Sequence, residues 1–128
     1  MRMLRNLVPA ATIGILGAFG LTSQASAACD VDGETFYLHK NDETRHTART
    51  DLNGCDLHFI SAGTETQFSS ASIVSKPKNG DLSKIAYLEF RYRPNPNFKG
   101  GDEFALRVCG KTPKGEGCSI LHYTATVE

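Results

Sequence analysis

The residues best equipped for chemistry are four cysteines, Cys29, Cys55, Cys109 and Cys118, and four histidines, His39, His46, His58 and His122. A metal centre needs imidazoles whose spacing aims two of them at one ion, typically two or four positions apart. No two histidines here are so spaced, and they read as surface or loop residues. Nucleophilic catalysis is equally unannounced. A serine nucleophile needs a base and an oxyanion site, often signalled by G-x-S-x-G, which is absent; Gly63 is followed by Thr64-Glu65, and Ser69, Ser70 and Ser72 lie in a strand-like stretch. No cofactor, no metal and no enzymatic activity are expected.

The remaining candidate is electrostatic. Between Asn41 and Asp51 the chain is dense in charge and poor in apolar residues, and Arg45, His46, Arg49 and Asp51 are its candidate binding residues. Contacts concentrate in loops held by a rigid scaffold, and this segment reads as such a loop or as an edge strand kept soluble by charge.

The scaffold must be built after a leader. Arg2 and Arg5, an apolar stretch from Leu7 to Leu21 and the exit Ala25-Ser26-Ala27 follow the order of a secretory signal, with cleavage expected after Ala27. Pro9, Gly14, Gly17 and Gly20 interrupt the apolar stretch, which falls short of a membrane span. The leader carries two of the 14 basic residues and none of the 14 acidic ones, leaving 12 against 14 and no basic face for nucleic acid. Residues 28–128 suffice for one domain. All four cysteines follow the cut, and an even number in a short exported chain implies disulfides in an oxidising compartment. Lipidation of Cys29 is the rival, but Ser26-Ala27-Ala28-Cys29 lacks the large aliphatic residue three places before the cysteine.

No helical apolar period lasts beyond about two turns, whereas β-branched and aromatic alternation recurs between Gly, Pro, Asn and Asp clusters. The chain is therefore expected to be all-β. Ala86 to Tyr92 reads as one strand with Ala86, Leu88, Phe90 and Tyr92 on one face, stopped by Pro94 and Pro96. Glu103 to Cys109 puts Phe104, Leu106 and Val108 inward; Cys118 to Val127 puts Leu121, Tyr123, Ala125 and Val127 inward. Cys109 and Cys118 then share the outward face of adjacent antiparallel strands, and Gly110, Pro113, Gly115 and Gly117 supply the turn between them. That pairing leaves Cys29 with Cys55 by elimination. Earlier strands are placed near Thr35 to Leu38, Leu57 to Ser61 and Ser70 to Ser75.

Three segments carry a resemblance. Pro77-Lys78-Asn79-Gly80-Asp81-Leu82, Phe90-Arg91-Tyr92-Arg93-Pro94 and Phe98-Lys99-Gly100-Gly101-Asp102-Glu103-Phe104, with Val108-Cys109 after them, resemble the cadherin-like, immunoglobulin-like repeat of bacterial surface adhesins: P-x-x-G-x-L, F-x-Y-x-P, F-x-G-x-D-x-F, then V. The match spans about residues 75–127 and implies an immunoglobulin-like antiparallel β-sandwich of about seven strands. It argues fold rather than ligand. Such repeats usually stand in tandem, and this is a single copy. Gly100-Gly101-Asp102-Glu103-Phe104 also spells the diguanylate cyclase signature, but those domains are longer, cytoplasmic and α/β, and the corner of the repeat accounts for the letters. Cadherin-like domains often bind calcium through clustered carboxylates; Asp42, Glu43, Asp51, Asp56, Asp81, Asp102 and Glu103 form no dense D-x-D run.

The expectation is a periplasmic or secreted monomer, a binding or adhesion module that engages an envelope or extracellular protein or glycan, with no nucleic acid and no membrane span in the mature chain. The alternatives are a small secreted inhibitor or accessory subunit of an envelope enzyme, and a structural domain without a high-affinity ligand.

Overall fold

A computed structural model describes residues 29–59 and 65–128. The leader expected over residues 1–27, and the end of the strand expected near Leu57 to Ser61, lie outside these. Eight strands occur among the described residues: β1 Asp30–Gly33, β2 Glu43–Thr50, β3 Cys55–His58, β4 Gln67–Ser75, β5 Gly80–Ala86, β6 Glu89–Pro94, β7 Gly100–Thr112 and β8 Gly115–Val127. They form a five-stranded sheet in the order β1-β2-β8-β7-β4 and a three-stranded sheet in the order β3-β6-β5. Every pairing is antiparallel except β2 with β8, which runs parallel from Glu43 opposite Ile120 to Thr50 opposite Val127.

One core joins the sheets. A stack of four rings crosses it: Tyr92 of β6 lies on Phe104 of β7 (centroids 5.5 Å), Phe104 on Tyr123 of β8 (5.1 Å), and Tyr123 on His46 of β2 (5.1 Å). Period-two alternation creates this stack. Phe104 pairs directly with Tyr123, and Tyr123 with His46, so three neighbouring strands present a ring at the same level of one face. Each buried ring removes enough apolar surface from water to contribute about 2 kcal/mol, and each ring pair adds about 1 kcal/mol.

The last hairpin follows the sequence pattern. Phe104, Leu106, Val108, Leu121, Tyr123, Ala125 and Val127 are all buried. Cys109 and Cys118 are direct partners in the ladder, with Cα atoms 4.0 Å apart, and are bridged. Cys29 and Cys55 form the second bridge, with Cα atoms 5.2 Å apart, tying the start of β1 to β3.

Three strand expectations need correction. Ala86 to Tyr92 is not one strand: Tyr87-Leu88 is a two-residue turn between β5 and β6, with Ala86 paired to Glu89. The inward positions Phe90 and Tyr92 nevertheless hold. Thr35 to Leu38 is not a strand either. It leads into a 3-10 turn, Leu38–Lys40, because Leu38 plugs the core while the turn is closed by hydrogen bonds: Asn41 N–H donates to the Leu38 carbonyl and Tyr37 N–H to the Asp42 carboxylate (2.9 Å). Asn41 takes the left-handed conformation (φ 50°) that an asparagine tolerates. Third, most of the charged segment Asn41 to Asp51 is neither loop nor edge; only Asn41, Asp42 and Asp51 lie outside a strand. Residues 43–50 are β2, an internal strand of the larger sheet.

Candidate functional site

The alternation of β2 sorts the sequence candidates. Glu43, Arg45, Thr47 and Arg49 face solvent; Thr44, His46, Ala48 and Thr50 face the core. The four candidate binding residues are therefore not one cluster. Arg45 lies mid-face, Arg49 and Asp51 lie at the end of the sheet near Cys29, and His46 is buried on the opposite side.

His46 has a structural environment. The Thr44 hydroxyl lies 2.8 Å from its Nε2, the Tyr123 ring covers one side, and Phe36 meets it edge-on. Gly33, its partner on β1, leaves room for the imidazole; a Cβ there would overlap the His46 ring. Burial pulls the His46 pKa below its ordinary value, against the opposing field of Glu34 and Asp32.

The outward face of β2, β8, β7 and β4 is the candidate contact surface. The register sets Arg45 beside His122, His122 beside Ala105, and Ala105 beside Ser75 in one row, with Thr47, Thr124 and Glu103 in the next. Ala105 points outward but is only 3% exposed, so the sheet is sunken at this row and longer side chains stand around it. A cavity of about 180 Å³ opens here among Arg45, Ser75, Glu103, His122 and Thr124. It adjoins a larger one of about 580 Å³ that shares Ser75, Glu103 and Thr124 and extends to Lys76, Lys78 and Asn79.

The charges around this groove are largely uncommitted. His122 Nε2 lies 2.7 Å from Glu43 Oε1, but Arg45, Lys76, Lys78 and Glu103 make no ion pair among the described residues. A lining of guanidinium, ammonium, carboxylate and hydroxyl groups over small side chains offers donors and acceptors to a polar ligand. At the far end, a cavity of about 540 Å³ is bordered by Arg49, Asp51 and Glu128, where Arg49 approaches Glu128 at 3.5 Å.

Asp102 is the residue whose role the sequence reading passed over. It is 4% exposed, and its carboxylate accepts the main-chain N–H groups of Lys78 (3.0 Å), Asn79 (3.1 Å) and Glu103 (3.1 Å) and the Tyr92 hydroxyl (2.8 Å). The first acid of the Gly-Gly-Asp-Glu-Phe string thus clamps the β4–β5 connection to β7. Its neighbour Glu103 points outward into the groove. The spacing of Asp102 within F-x-G-x-D-x-F was the available signal. No group of three or more His, Cys, Asp or Glu side chains placed to hold a metal ion occurs among the described residues. No helix of the described residues is long and apolar enough to cross a membrane.

Neither a protein-family model nor a curated protein matches this chain.

Proposed function

We propose that this chain is an exported, non-enzymatic binding module with an immunoglobulin-like, cadherin-like sandwich fold, and that it engages an envelope or extracellular protein or glycan through the outward face of its five-stranded sheet. The observation that carries the reading is the groove around Arg45: an outward face lined by uncommitted charges and hydroxyls, on strands fixed by a cross-strand disulfide. A rigid, polar, pre-formed concavity suits recognition because little ordering cost remains when the partner arrives.

Fold and compartment support it indirectly. The reading is supported by an all-β architecture of two sheets, of five and three strands, sharing one core. The leader pattern and two bridged cysteine pairs fit an oxidising compartment.

The test is cross-linking of the tagged mature domain in its compartment with mass spectrometry, alongside glycan-array binding of the purified domain. A saturable protein or glycan signal that Arg45→Glu abolishes, with the far-ultraviolet spectrum unchanged, supports the reading. A partner that binds the Arg45→Glu variant as well as the wild type places the contact elsewhere. The absence of any saturable partner in both assays refutes the module.

A further inference from the structure

β4 ends the larger sheet and pairs only with β7. Its nine residues, Gln67–Ser75, include no charged side chain and no proline. Such a strand leaves unpaired N–H and C=O groups that invite another chain, and exposed edges are ordinarily blunted by charge, proline or a cover.

Here the cover comes from the other sheet. Cys109 and Cys118 stand close, as a pair that exchanges no main-chain hydrogen bonds does, so the main-chain groups of Cys109 turn toward Ser70 on β4. By alternation those of Ala71 turn to the open side. Lys84 of β5 donates from its ammonium to the Ala71 carbonyl (2.8 Å), and the Tyr87 hydroxyl, from the turn that follows β5, donates to the Phe68 carbonyl (2.7 Å). The charge that β4 lacks is thus supplied across the gap between the sheets. Tyr87 is 58% exposed, more than burial of a ring would explain, and its hydroxyl contact accounts for where it lies.

We infer that Lys84 and Tyr87 guard a strand-addition edge, and that once they withdraw β4 pairs antiparallel with the β4 of a second copy of this chain. The occupant follows from symmetry. Ala71 is the midpoint of Gln67–Ser75, so a two-fold axis there sets Ala71 opposite Ala71, each N–H donating to the partner's carbonyl, and opposes no like charges. That carbonyl is the one Lys84 holds, so guard and partner exclude each other. The bulges after Phe68 and Ile73 confine regular pairing to the middle of the strand, which makes the dimer weak and reversible.

Analytical ultracentrifugation of the disulfide-intact domain tests this. The wild type should sediment as a monomer, and Lys84→Met combined with Tyr87→Phe should self-associate at least tenfold more tightly. Adding Ser72→Lys, at an exposed position inside the regularly paired stretch, should restore the monomer, because the two-fold axis brings the two lysines together on one face. Hydrogen exchange reads the same interface, because the Ala71 amide should gain protection in the dimer. Should the double variant lose its fold, Lys84→Met alone carries the same expectations. A folded guard variant that stays monomeric at every concentration overturns the inference, as does a dimer that Ser72→Lys leaves intact.

Discussion

Replacing Asp102 with alanine should be among the most damaging single changes outside the disulfides. The substitution leaves four donors without their acceptor. The Tyr92 hydroxyl is the costliest, because Tyr92 is 0% exposed; an orphaned buried hydroxyl costs about 1–3 kcal/mol. The three amides lose hydrogen bonds to a charged group, each worth about 1.5 kcal/mol or more when dry. Lys78 and Asn79 border the open cavity, so water recovers most of their share. The sum is about 3–4 kcal/mol, a large part of the stability of a domain of this size. Asp102→Asn should cost only about 1 kcal/mol, because the amide oxygen keeps the Lys78 and Glu103 N–H groups while the amide nitrogen donates to a Tyr92 hydroxyl that turns to accept. Urea unfolding with both disulfides intact measures this. With a slope near 1 kcal/mol per molar, Asp102→Ala should lower the midpoint by about 3 M. A double-mutant cycle with Tyr92→Phe should give a coupling of about 1–2 kcal/mol. Equal losses for alanine and asparagine, or no coupling to Tyr92, would refute the clamp.

Burial of neutral His46 contributes stability that is present above about pH 6.5 and lost as pH falls toward its lowered folded value; an NMR titration of the imidazole should show a midpoint below 6.5. Tyr123 is pushed up to about 12 by burial, and Tyr92 is raised further by burial and by its bond to Asp102. Their contribution holds below about pH 10 and fades above it, so spectrophotometric titration should find two tyrosines that ionise only as the fold opens in alkali. Replacing Cys109 and Cys118 together with serine should cost about 3 kcal/mol, and Cys29 with Cys55 slightly more because the loop is longer, both read as shifts in the urea midpoint.

What was legible in the sequence follows from how much each strand depends on large apolar side chains. β7 and β8 alternate bulky residues against polar ones, so their faces and the Cys109–Cys118 pairing could be read directly. β2 alternates just as strictly, but its inward set is Thr44, His46, Ala48 and Thr50, small or polar residues filling space under Tyr123 and beside β1, and its apolar signal vanishes. The β5–β6 turn escaped for a different reason. A two-residue connection preserves period two, and Tyr87-Leu88 contains neither glycine nor asparagine to betray it. β1 was invisible because all four of its residues are exposed; pairing with β2 and the adjacent Cys29–Cys55 bridge hold it. The groove was half legible. Arg45 was singled out, but its neighbours Glu103, His122 and Ser75 lie far along the chain and meet it only through the β2–β8–β7–β4 register.

The parallel seam between β2 and β8 also sets a timetable. A chain that emerges N terminus first presents residues 43–50 early, yet their partner strand on one side is residues 115–127, more than sixty positions later. Until that segment arrives, β2 can zip only to the four residues of β1, and the aromatic stack lacks Tyr123 at its centre. Closure of the larger sheet therefore waits for the last strand, and such long-range closure is slow compared with local hairpin formation. The three-stranded sheet β3-β6-β5 and the β4–β7 pair all precede β8 in the chain and can form without it, so the last thirteen residues close the larger sheet against partners already in place.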